Sequence, residues 1–134
     1  MKSLFPLARA WLLLFPLYLF CKIIRPRAVA GDAPQFVKIF LFSFPNFYQA
    51  ITGVFVLTGV GFWINARLPA DRRVQPRLLY ATAVIATGIF VFAQELNILR
   101  LRAHQTYDPY DLLFSLIGLA TSLGIILYLR PHNR

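Results

Sequence analysis

The sequence predicts an all-α integral membrane protein, a bundle of four spanning helices, and three observations predict it. The 134 residues are 58% hydrophobic and only 14% charged, whereas soluble domains carry about a quarter charged residues. Four apolar runs, at about residues 4–24, 45–65, 77–101 and 109–129, meet the roughly 20 residues needed to cross about 30 Å of hydrocarbon at 1.5 Å per residue. The charges fall mainly between those runs, so membrane topology accounts for the net +9 better than a basic nucleic-acid face does.

The first run holds Arg9, Pro6 and Pro16, and Arg9 is placed to snorkel to the nearby interface. Ala28-Val29-Ala30 resembles a signal-peptide cleavage site, but Lys22, Arg25 and Arg27 lie between it and the apolar core, where positive charge is unusual. A retained first span is therefore expected. Residues 25–35, punctuated by Pro26, Gly31 and Pro34, read as an exposed loop. Residues 36–44 are apolar but carry Lys38, and they suit either an interfacial lead-in or early turns of the second span.

Pro45 is expected to start the second span, with Asn46 and Gln49 in its first turns and Gly53, Gly59 and Gly61 offering close helix contact. Trp63 suits the headgroup level at its far end. Residues 65–76 form a basic turn. The side shared by both termini and this turn collects eight Lys and Arg against six on the other side, which places both termini in the cytoplasm.

The third and fourth spans flank the most polar stretch. Of five acids in the chain, Glu95, Asp108 and Asp111 fall here, with Arg100, Arg102 and His104 between them. Asp108 precedes Pro109, so it reads as an N-cap with proline at the first helical position. Asp111, three residues on, suits the positive end of the helix dipole. Asp111, Ser115 and Gly118 share one face at i, i+4 and i+7. A cap does not require that polar and small stripe to continue, so a packing partner is expected along it. Glu95 lies inside the end of the third span, where a carboxylate must be protonated or paired, with Arg102, Arg25 or Arg27 as candidate partners.

Two readings of this cluster stand side by side. In one, it is an ion-pair network that fixes helix packing, as in a structural subunit set against a larger membrane complex. In the other, it is a site at the membrane face. Arg102, His104 and Arg25 hold an anionic headgroup or a lipid-linked pyrophosphate there, because guanidinium pairs well with phosphate oxygens. Asp108 and Ser115 border that site, and Glu95 or Asp111 serves as a general base. The lone Cys21 and the widely spaced His104 and His132 give no metal set, and no P-loop or dinucleotide fingerprint is present. No metal or cofactor is expected.

Glu95, Arg102, the run Tyr107-Asp108-Pro109-Tyr110-Asp111-Leu112-Leu113 and Gly118 together resemble the VanZ-like family of small bacterial membrane proteins. The resemblance covers roughly the last third of the chain. Ser115 departs from it, standing where the family pattern has asparagine. The resemblance implies a multi-pass protein of the bacterial inner (cytoplasmic) membrane, linked to the cell envelope and to glycopeptide resistance. It implies no settled reaction.

Overall fold

The computed structural model describes residues 5–96 and 108–129. Four long helices make up almost all of it: α1 (Phe5–Ala30), α2 (Gln35–Arg67), α3 (Pro76–Glu95) and α4 (Pro109–Leu129). Each is long and apolar enough to cross a membrane. Large apolar side chains remain exposed on all four, Leu13, Val56, Ile89 and Leu116 among them. That is the surface of a multi-pass membrane protein, whose outer faces meet lipid rather than water.

The first hairpin is longer than the sequence suggests. Helix α1 continues through Pro26 to Ala30 instead of ending near residue 24, and α2 begins at Gln35 with Pro45 inside it rather than at its start. Residues 36–44 are thus the opening turns of α2. Packing explains both changes. Cys21 and Ala28 on α1 are buried against Leu41, Phe44 and Tyr48 on α2. Those contacts hold the backbone helical across two prolines, each of which costs one hydrogen bond. The loop is left with only Gly31 to Pro34, and the Gly31 N–H donates to the Arg27 carbonyl at 3.0 Å.

At 33 residues, α2 is about 50 Å long and forms the centre of the molecule. It packs against all three other helices, most extensively against α4, while α1 and α3 scarcely touch each other. The core along it comprises Ala50, Ile51, Val54, Phe55 and Phe62 with Tyr80 and Ala83 of α3 and Leu119 and Ile126 of α4. At its far end, Arg67 stacks on the Trp63 ring at 3.6 Å. The Asn65 amide fastens the turn into α3: Nδ2 donates to the Val74 carbonyl at 2.9 Å, and Oδ1 accepts from the Val74 N–H at 2.7 Å.

The stripe expected on α4 is present and finds its partner. Ser115, Gly118 and Ser122 are buried against α2, where a Cβ on Gly118 would meet the Phe47 carbonyl oxygen at 2.6 Å. Of the three α2 glycines, Gly53 makes a similarly close approach, to Thr87 of α3; Gly61 is in ordinary contact and Gly59 faces open space.

Candidate functional site

Helical periodicity divides α2 into two faces. Phe47, Ala50 and Val54 point toward α4, whereas Pro45, Gln49, Thr52 and Val56 lie on the opposite side. Because α1 and α3 flank α2 without meeting, that opposite side stays open. It forms the floor of a groove of about 1040 Å³, at the upper end of the roughly 300–1,000 Å³ typical of small-molecule sites. Tyr18, Lys22 and Arg25 of α1 form one wall and Thr87, Phe90 and Val91 of α3 the other. Asp108 and Asp111, at the start of α4, complete the lining at its charged end.

The polar groups in this groove are positioned by hydrogen bonds between helices. Trp11 Nε1 donates to Thr52 Oγ1 at 2.9 Å, tying α1 to the floor. Gln49 Nε2 donates to Gln94 Oε1 at 2.7 Å, tying α3 to the floor. Tyr18 stacks on Tyr48 with ring centroids 4.6 Å apart. The Arg25 guanidinium lies 3.9 Å from the centre of the Phe42 ring, an arrangement that fixes a cation while leaving its N–H groups free to bond.

Asp108 is the N-cap that its place before proline implies: its Oδ1 accepts from the Tyr110 N–H at 2.9 Å. Asp111 is different. It is half-buried, with Ser43 and Asn46 of α2 as its polar neighbours and Arg25 as a favourable charge. Asp111 Oδ1 and Ser43 Oγ are both sealed from the surface, with Ser43 and Asn46 as the hydrogen-bonding neighbours of the carboxylate. A capped helix start does not need a carboxylate in that position.

The other expected residues fall into place unevenly. Arg25 lines the groove with Asp108 and Asp111. Glu95 is buried at the last turn of α3, next to the Gln94 that bonds to the floor. Ser115 sits in the α2–α4 seam rather than in the groove. Arg102 and His104 lie outside the described residues. Sequence reasoning passed over Lys22, Ser43, Thr52 and Thr87 as site residues. Their signal was on α2, where Ser43, Asn46, Gln49 and Thr52 recur every three residues in an otherwise apolar span. Such polar positions inside a membrane helix mark where it bonds to its neighbours, as Gln49 and Thr52 do here. No group of acids, histidines and cysteine suited to a metal ion occurs among the described residues.

Compared with known proteins, the chain matches no family model, no curated protein and no solved structure.

Proposed function

We propose that this is a VanZ-like protein of the bacterial cytoplasmic membrane, with both termini in the cytoplasm, that binds a lipid-linked or wall-derived envelope molecule bearing an anionic group. The observation that carries the proposal is the groove itself. It brings Lys22 and Arg25 together with Asp108 and Asp111 at the end of a cavity large enough for such a molecule. Guanidinium and ammonium groups hold phosphate or carboxylate oxygens, and polar residues of the floor orient what enters. Any proton transfer in the site falls first to Asp111, which lines the groove beside Arg25, and second to Glu95. The VanZ-like pattern links this activity to glycopeptide resistance.

The test is growth under a teicoplanin-type antibiotic for cells carrying Asp111→Asn, Glu95→Gln or Arg102→Gln, with membrane levels checked for each. Loss of resistance at normal protein level is the expected result, with a lipid-facing substitution such as Ile117→Val as the control. Full resistance in all three variants rejects the site. It would leave a packing role within a larger membrane complex as the better explanation.

A further inference from the structure

The groove has a direction. Its lining on α2 runs from Phe42 to Val56, about 21 Å at 1.5 Å per residue. One end is charged, with Lys22, Arg25, Asp108 and Asp111, and the other is uncharged, with Val56, Phe90, Val91 and Thr87. Its rims face outward: Val56 is 56% exposed and Phe90 48%. In a bilayer these exposed rims meet acyl chains, so the groove opens sideways into the lipid. Tyr48 and Thr87 line it, each more than nine-tenths buried, with the Tyr48 hydroxyl held by Thr52 and Trp11.

The charged end has two signs. Its cations, Lys22 and Arg25, belong to α1, and its carboxylates, Asp108 and Asp111, belong to α4. A purely anionic headgroup would be held by the first pair and repelled by the second. A headgroup carrying a phosphate and a primary ammonium satisfies both, with the phosphate toward Arg25 and the ammonium toward Asp111.

We propose that the groove binds a phospholipid with a zwitterionic primary-amine headgroup, of the phosphatidylethanolamine class, which enters sideways from the bilayer. The inference rests on the groove being a binding site, as above, and narrows its occupant. The acyl chain runs along the open, lipid-facing side past Val56 and Phe90, and the headgroup stays at the helix ends.

Native mass spectrometry of the purified protein tests this, with phosphatidylethanolamine, its N-methylated and N,N-dimethylated forms, phosphatidylcholine and phosphatidylglycerol added at equal concentration. The wild type should bind phosphatidylethanolamine best, with occupancy falling as N–H donors are lost to methylation and lowest for phosphatidylcholine and phosphatidylglycerol. The fall should reach roughly tenfold, the loss expected for one charge-assisted hydrogen bond. This series needs no variant, so it is independent of any folding defect. In Asp111→Asn the preference over phosphatidylglycerol should disappear, whereas Arg25→Gln should weaken every phospholipid. Free phosphoethanolamine should not compete. Equal occupancy across the methylation series overturns the inference. So does displacement by free phosphoethanolamine, or filling of the groove by a copurified protein helix. A preference for phosphatidylglycerol overturns it too, but leaves an anionic occupant as proposed above.

Discussion

The two faces of α2 solve the same problem in opposite ways. The face toward α4 brings backbones together over small residues: Gly118 lies against Phe47 and Ala50, with Ser115 and Ser122 buried beside it. The face turned away from α4 carries Pro45, Gln49, Thr52 and Val56 and is left uncovered between α1 and α3. Association in lipid rests on close packing and interhelical hydrogen bonds rather than on a hydrophobic drive. The first face uses packing to hold the fold. On the second, hydrogen bonds fix the walls at a distance, so a cavity persists where a fourth helix would otherwise close. One helix thus supplies both scaffold and site.

The largest effect is expected at the sealed face. Gly118→Val places a side chain where even a Cβ would sit 2.6 Å from the Phe47 carbonyl oxygen. Backbone cannot step aside cheaply, so overpacking should cost about 3 kcal/mol or more, seen as loss of folded protein when heated detergent extracts are run on size-exclusion chromatography. Asp108→Ala comes next. It removes the bond to the Tyr110 N–H, and the same thermal assay should show the roughly 0.5–2 kcal/mol typical of a lost N-cap. Trp11→Phe keeps the ring but removes the 2.9 Å bond to Thr52. The expected cost is about 0.5–1.5 kcal/mol, with the groove wall loosened and lipid occupancy reduced more than stability. Smallest of all, Gly59→Ala and Gly124→Ala face open space and should leave the melting temperature unchanged or slightly raised, since alanine is the better helix former.

How far the sequence foretold this differs between the two faces. Four apolar runs of bilayer length made the helices legible, and the Asp111–Ser115–Gly118 spacing made the sealed face legible from the α4 side. The aspartate before proline gave the cap. The length of the first hairpin was not legible, because Pro26 and Pro45 are strong local punctuation. What overrides them is the nonlocal burial of Cys21 and Ala28 on Leu41 and Phe44. The groove was hidden for a related reason. Its residues come from α1, α2, α3 and the start of α4, and the cluster of acids around Glu95 and Asp111 drew the site toward the second hairpin, with Arg25 as its contribution from the first. Arg25 and Asp111 are distant in sequence, and only the packing of α1 on α2 brings them to one cavity.

The division of α2 into a sealed and an open face is most directly probed by a matched pair of threonines on it. Thr52 lines the groove and Thr58 is completely buried in the core. Each is replaced singly by cysteine in a Cys21→Ser background, and the rate of reaction with N-ethylmaleimide is measured on folded protein purified in detergent and freed of lipid. Thr52→Cys should react readily, and more slowly once phosphatidylethanolamine is added to the purified protein, while Thr58→Cys should stay unreactive until the protein is denatured. Equal protection of the two in folded protein would mean that the face opposite α4 is closed and that no groove exists between α1 and α3.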